Sequence, residues 1–386
     1  MDGSGPTTDV PPTPPPAPGG GPKREPWSPR LWHGFDFFGW LRLLARNRFA
    51  VEPPFWHIAG IATGLSLGHT VLRWAQDRLL GDRIAATPIP DHPIFVIGHW
   101  RTGTTLLHEL LIRDDRFSYP DTYACLEPNH TLLTEAAIKT YLPFLMPKKR
   151  PMDNMAAGWE RPQEDEFALC MMGLPTTYTD FAFPNHPPLS PGALDLSGLT
   201  PPQLATWKRV FRRYLRMLTF RDPRRLVLKS PPHTARVRVL LDLFPDARFV
   251  HIVRDPYVVF PSTVNLWQSL GRRHGLQRPR SPGAIREKVF REFRVIYDRL
   301  EEAKPLIPAG RFHEVRYEDL IRDPAGEMAK VYAGLALGGF EAYRPKLEAY
   351  LRSNAGYETN KYRISDDDRA EVTQRWGDVI RRYGYG

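Results

Sequence analysis

The chain has 386 residues, 42% of them hydrophobic and 25% charged, which is ample material for a core and excludes a wholly disordered protein. Lys and Arg number 53 against 43 Asp and Glu, and the net charge of +10 favours an anionic partner: a nucleotide, a sulfated or phosphorylated ligand, a membrane surface or a nucleic acid. The only two cysteines, Cys125 and Cys170, exclude a disulfide-stapled scaffold and a Cys-rich zinc module and fit a reducing, cytoplasmic setting, and residues 1–30 contain no apolar secretory leader.

Half of residues 1–30 are Pro or Gly. Such a segment cannot bury enough surface to offset its ordering entropy and is expected to be a disordered tail of polyproline II character. Residues 31–90 form a helical, aromatic and basic extension. Its first part sets Trp32, Phe35, Phe37, Phe38 and Trp40 beside Arg42, Arg46 and Arg48. Trp56 to Leu72 then runs mostly apolar, with Gly60, Gly64 and Gly68 along one helical face, where they would permit close approach of another helix. The run falls short of the ~20 apolar residues that span a bilayer. Two readings stay open. One is a helical hairpin packed on the main domain. The other is an interfacial anchor, with aromatics at the headgroups and arginines toward lipid phosphate, peripheral to the membrane.

From residue 91 onward strands and helices alternate. Strands are expected at Ile94–Ile97, Leu226–Leu228, Phe249–Val253 and Phe312–Val315. Helices are expected at Thr104–Ile112, Ala235–Phe244, Asp255–Leu270 and from Asp319. The alternation predicts an α/β fold with a parallel sheet and helices on both faces. Residues of about 113–225 read as an irregular, proline-rich insertion, a natural substrate-binding cap. Within it, Lys208, Arg209, Arg212, Arg213 and Arg216 read as a solvated helix face.

The first strand ends in Gly98-His99-Trp100-Arg101-Thr102-Gly103-Thr104-Thr105. A strand, a Gly-containing turn and a helix N-terminus make an anion cradle of inward N–H groups and helix dipole. The hydroxyls of Thr102, Thr104 and Thr105 can donate to phosphate oxygens, and Arg101 can clamp them. The loop keeps the glycine spacing of a nucleotide-triphosphatase loop but has Thr104 where that loop has lysine. No acidic strand end for Mg²⁺ follows, because Asp255 reads more simply as a helix cap. The site suits a phosphate group and looks poor for metal-assisted phosphoryl transfer.

These residues resemble the PAPS-dependent sulfotransferases of the bacterial type. The family's 5′-phosphosulfate loop is matched by Arg101-Thr102-Gly103-Thr104-Thr105. Its 3′-phosphate motif is matched by Arg254, Asp255, Pro256 and Ser262. Leu228-Lys229-Ser230-Pro231-Pro232-His233, Val315-Arg316-Tyr317-Glu318-Asp319-Leu320 and Pro162-Gln163-Glu164-Asp165-Glu166-Phe167 resemble further family elements. The resemblance covers residues 91–386 and implies a P-loop-like three-layer α/β/α domain with a central parallel sheet, using PAPS as co-substrate and no metal. It implies sulfuryl transfer to a hydroxyl of a small or lipid-like acceptor; separately, the charge is spread along the chain with no recognisable nucleic-acid motif, so no nucleic-acid partner is expected.

Sulfuryl transfer is a matter of positioning and electrostatics. Arg101 is assigned to the 5′-phosphate and Lys229 to the bridging oxygen. The general base stays open among His233, Glu164, Glu166 and Glu127. His108 reads as structural. The cap offers Tyr141, Phe144, Met146, Tyr178, Phe181 and Phe183, a lining suited to an apolar alcohol, a phenol or a lipid. The competing readings are a P-loop kinase or NTPase and a non-catalytic anion binder.

Overall fold

The computed structural model describes residues 30–145, 158–354 and 364–386, so the tail segment through residue 29 and Met146 lie outside the described residues. In chain order the helices and strands are α1 (Phe37–Arg46), α2 (Trp56–Ala86), β1 (Ile94–Ile97), α3 (Thr104–Leu111), β2 (Phe117–Ser118), α4 (Thr122–Leu126), α5 (Thr131–Tyr141), α6 (Asp165–Met171) and α7 (Pro201–Arg221). They continue with β3 (Arg225–Lys229), α8 (Val237–Leu243), β4 (Arg248–Val253), α9 (Pro256–His274), α10 (Pro282–Ala303), β5 (Phe312–Arg316), α11 (Tyr317–Arg322), α12 (Pro324–Gly334), α13 (Phe340–Ser353) and α14 (Asp366–Arg382).

The five strands form one parallel sheet in the order β2-β3-β1-β4-β5. All four residues of β1 are buried, because successive side chains enter opposite layers. Phe95 and Ile97 face the layer that holds Phe211 and Leu215 of α7 and Leu240 of α8. Ile94 and Val96 face the layer of Leu107 and Leu111 of α3 and Val331 of α12. The fold is the expected three-layer α/β/α domain, with the four expected strands within a residue or two of their places and a short fifth strand, β2, inside the stretch read as an insertion.

Two expectations need correction. The insertion at 113–225 is not irregular throughout. It carries α4 to α7, and the 21-residue α7 starts from a capping box in which Thr200 and Gln203 satisfy each other's backbone. Its basic residues include Lys208 and Arg213, which pair with Asp242 and Asp77. Gly60, Gly64 and Gly68 do not seat another helix: an added Cβ at any of them would meet nothing within 4 Å.

In the extension, α1 packs against α2, and both contribute to the main domain's apolar cluster. Trp40 Nε1 of α1 donates to Thr63 Oγ1 of α2 at 2.8 Å, and the Phe37 amide donates to Thr70 Oγ1 at 2.8 Å. Trp32, Phe35 and Trp40 share one apolar cluster with Trp100, Tyr178 and Trp267. The burial of α2 is inverted relative to an ordinary amphipathic helix. Its buried stripe is Ile58, Ala62, Ser66, Thr70, Gln76 and Ile84. Trp56, Ile61, Leu65, Leu67, Val71, Trp74 and Leu79 are exposed. No described helix is long and apolar enough to cross a membrane.

Candidate active site

The strand order places the carboxyl ends of β3, β1 and β4 side by side, which brings Lys229, the 98–105 loop and Arg254 to one edge of the sheet. The loop has a backbone that few residues permit. Gly103 has φ +102°, and a Cβ there would lie 2.4 Å from the Tyr317 ring. Arg101 also has a positive φ, 69°. Strain of this kind, of order ~1–3 kcal/mol, persists only where the surroundings impose it. Thr234 supplies part of that constraint: its Oγ1 accepts from the Gly98 amide at 2.7 Å and donates to the Gly98 carbonyl at 3.1 Å.

The threonines divide their roles. Thr102 Oγ1 donates to the His99 carbonyl at 2.7 Å, so its proton serves the turn and is not available to a phosphate as expected. Thr104 and Thr105 open α3 beside its free N–H groups, and neither side chain makes a hydrogen bond among the described residues.

The second motif meets the first. Arg101 Nε donates to Ser262 Oγ at 2.9 Å, and Arg254 Nη1 donates to the Arg101 carbonyl at 3.1 Å. The Arg254 guanidinium stacks 4.0 Å from the Tyr317 ring centroid. Burial, reinforced by the charge of Arg101, pulls the Arg254 pKa below its ordinary value despite Tyr317 and Glu318. Arg254 has no carboxylate ion-pair partner among the described residues. A partly buried cation with no carboxylate in direct contact is a candidate for binding an anion. Asp255 serves as the N-cap of α9, accepting from the Tyr257 amide at 2.8 Å, as its sequence context implied.

A polar chain runs from the loop to the end of β3. Trp100 Nε1 donates to Tyr178 Oη at 3.0 Å, Tyr178 Oη donates to Glu164 Oε2 at 2.5 Å, and Lys229 Nζ donates to Glu164 Oε1 at 3.0 Å. The Lys229 side chain is 1% exposed and that of Glu164 is 13% exposed. Burial, followed by the charge of Glu164, pushes the Tyr178 pKa far up, so its phenol stays protonated and donates.

Behind this chain, the two neighbouring acids turn inward. Asp165 Oδ2 lies 2.5 Å from His233 Nε2, and both side chains are fully buried. Burial alone would raise the Asp165 pKa, but His233 and a hydrogen bond from Ser230 Oγ at 3.0 Å hold it below the usual carboxylate range. Glu166 grips Arg236 through two contacts of 2.5 and 3.0 Å, again fully buried. The geometry therefore leaves His233 and Glu166 no exposed face. Glu127 lies with His69 and His130, at 3.3 Å from each. His99 and His108 are buried, and burial lowers their pKa values to about 4 and about 3.

The cap aromatics divide as well. Tyr141 and Phe144 are open to solvent, whereas Tyr178, Phe181 and Phe183 are buried in the core. The residues that sequence reasoning missed sit inside segments it had quoted or directly beside them: Asp165 between two acids, Thr234 after His233, and Tyr317 in the Val315–Leu320 element. Their signal was proximity to a motif, without anything to say which way each side chain turns.

A model described as the sulfotransferase family matches residues 93–341. An omega-hydroxy-beta-dihydromenaquinone-9 sulfotransferase, Stf3, of Mycobacterium bovis is 48% identical over 359 residues, covering 93% of this chain and 92% of its own. Among solved structures, the sulfotransferase STF9 from Mycobacterium avium aligns with a TM-score of 0.65 at 21% identity over 90% of this chain and 92% of its own. The sulfotransferase STF1 from Mycobacterium tuberculosis aligns with a TM-score of 0.56 at 18% identity over 90% and 94%. At these identities the two structures speak for the fold, while the family model and the 48% relative speak for descent. With a Gly-Thr loop after β1, Arg254 just past the end of β4 and a buried Lys229 closing β3, the chain belongs to the sulfotransferase family and is an enzyme that transfers a sulfuryl group from PAPS to a hydroxyl.

Proposed function

We propose that the two ends of the PAPS nucleotide are held by the two arginine motifs and that Glu164 is the general base. Arg101, the N–H groups at the start of α3 and the hydroxyls of Thr104 and Thr105 receive the 5′-phosphosulfate. Arg254 and Ser262 receive the 3′-phosphate, with Tyr317 setting the plane of the guanidinium. Glu164 accepts the proton of the attacking hydroxyl as the new O–S bond forms. Lys229, 3.0 Å from Glu164 in the resting protein, turns its charge to the bridging oxygen as the old S–O bond breaks. His233 and Glu166 brace the site from behind through Asp165 and Arg236.

The acceptor is proposed to be a hydroxylated lipid of the polyprenyl quinone class, met at an anionic membrane surface. The exposed apolar face of α2 carries this reading. Trp56, Val71 and Trp74 are 64%, 62% and 55% exposed, and Phe38 of α1 lies 6.5 Å from the Trp74 ring. An outward stripe of this length is more than scattered surface apolar residues explain. The exposed Arg42, Arg46 and Arg48 of the preceding segment make no ion pair among the described residues and suit lipid phosphate. The acceptor named for the 48% identical relative, a menaquinone derivative, belongs to the same chemical class.

The test is sulfuryl transfer by the full-length protein, followed by mass spectrometry. Acceptors are a terminally hydroxylated polyprenyl quinone in anionic vesicles, the same quinone in neutral vesicles, and a short water-soluble alcohol. The expected order of rates is anionic vesicle, neutral vesicle, soluble alcohol. Equal rates on all three, with no co-sedimentation with anionic vesicles, would remove the membrane and the lipid from the proposal.

A further inference from the structure

Where α2 meets α4 and α5, three side chains from separate elements bring donor atoms together. His69 belongs to α2, Glu127 is the C-cap of α4, and His130 is the N-cap of α5. His69 Nδ1 lies 2.6 Å from His130 Nε2, and Glu127 Oε2 lies 3.3 Å from both nitrogens. The two rings are within 3° of parallel with centroids 4.9 Å apart. With the nitrogens so close and the centroids so far apart, the rings cannot lie one over the other. They lie nearly in one plane, nose to nose.

One tautomer of His130 fits all of its neighbours at once. Its Nδ1 is 2.8 Å from Thr134 Oγ1, and the hydroxyl proton of Thr134 goes to the His130 carbonyl at 3.0 Å. Thr134 is then the acceptor for Nδ1–H, and Nε2 presents its lone pair to His69 and Glu127. A lone pair, a second imidazole nitrogen and a carboxylate oxygen converge on one point. Such a point is repulsive unless a proton or a cation occupies it. A proton on His69 Nδ1 would satisfy the nitrogen pair alone. Glu127 Oε2 would stay as it stands, buried and without a hydrogen bond among the described residues. A divalent ion satisfies all three donors together.

We propose that His69, Glu127 and His130 bind a divalent transition-metal ion of the zinc class, with a fourth position left for water. Two imidazoles and one carboxylate are a donor set such ions accept. The 3.3 Å carboxylate-to-nitrogen separations match the edge of a tetrahedron with bonds of about 2.0–2.1 Å, while the nitrogen pair must open by about 0.7 Å and the two rings must swing out of their end-on line for both lone pairs to meet at one ion. Thr134, itself 2.7 Å from Tyr123 Oη, fixes the His130 ring from behind, the usual place for an orienting group around a metal. The ion would tie α2, whose outward face is apolar, to the segment that leads to the exposed Tyr141 and Phe144. His69 lies outside the 93–341 family match. The site is independent of the sulfuryl-transfer chemistry, and no catalytic step passes through it.

The test uses untagged full-length protein, stripped with EDTA and dialysed free of it. Co²⁺ alone is titrated and followed by visible absorption, and Zn²⁺ is titrated by calorimetry and thermal unfolding. The expected result is one equivalent of Co²⁺ with the strong visible bands of a low-coordinate site, and a rise in Tm with Zn²⁺. His69→Ala and Glu127→Gln should each weaken binding about 100-fold, and Thr134→Val about 10-fold. No cobalt spectrum in the wild-type protein overturns the site, whether or not any variant folds. Binding that survives both ligand variants overturns it too. In either case the three groups share a proton.

Discussion

Gly103→Ala tests whether one backbone position joins the two phosphate sites. Gly103 has φ +102°, where a Cβ costs about 1–2 kcal/mol in the backbone alone. That Cβ would also stand 2.4 and 2.9 Å from two carbons of the Tyr317 ring, against an ordinary carbon contact of about 3.5–4.0 Å. The ring must therefore retreat by about 1 Å or more. The Arg254 guanidinium stacks on that ring at 4.0 Å and must shift with it. Charge-assisted hydrogen bonds are short and directional, and such a shift should cost about 1.4 kcal/mol or more, a tenfold or greater loss of affinity. The assay is calorimetry with 3′-phosphoadenosine 5′-phosphate, alongside urea unfolding to confirm the fold. Gly81→Ala is the control. Gly81 lies inside α2 with nothing within 4 Å of an added Cβ, and the change should leave binding alone and stabilise the helix by up to about 1 kcal/mol. A folded Gly103→Ala protein that binds the nucleotide as the wild type does would refute the coupling.

Two further predictions concern the layer behind the site. Glu166→Gln strands the fully buried Arg236 and should cost about 3 kcal/mol in urea unfolding, whereas the double change Glu166→Leu with Arg236→Met should recover most of it; a single variant as stable as wild type would show the pair to be idle. His99, buried and held neutral with a pKa of about 4, binds a proton more readily in the unfolded chain, at about 6.5. Its contribution is complete above that unfolded value and is lost as pH falls toward 4, about 2 kcal/mol of it between pH 7 and pH 5. Urea midpoints at the two pH values should differ in that direction, and a stability rising toward pH 5 would contradict the buried neutral ring.

The sheet was legible because buried parallel strands write themselves as short apolar runs, such as Ile94–Ile97 and Phe249–Val253. The helix α7 was legible only in part: the spacing of Lys208 to Arg216 marked a solvated helix face, but the proline-rich loops before it hid its full length and the burial of Trp207, Phe211 and Leu215 on its other face. In α2 the apolar stripe was visible but its direction was not. A stripe of Ala, Ser and Thr packs as closely as one of Leu, so periodicity alone could not say which face turned inward. The same limit applied to the three acids. Glu164, Asp165 and Glu166 are consecutive, and the turn into α6 sends them to Lys229, His233 and Arg236 respectively. Spacing named the acids, and only the backbone direction told them apart.

In the proposed site Arg254 serves the 3′-phosphate and the 98–105 loop the 5′ end of one nucleotide. Calorimetry in EDTA with 3′-phosphoadenosine 5′-phosphate and with adenosine 5′-phosphate, on wild type and Arg254→Ala, tests it directly. Arg254→Ala is expected to lose about 2 kcal/mol or more with the first ligand, from loss of a charged hydrogen-bond partner, and almost nothing with the second. Equal losses with both ligands, or none with either, would contradict it.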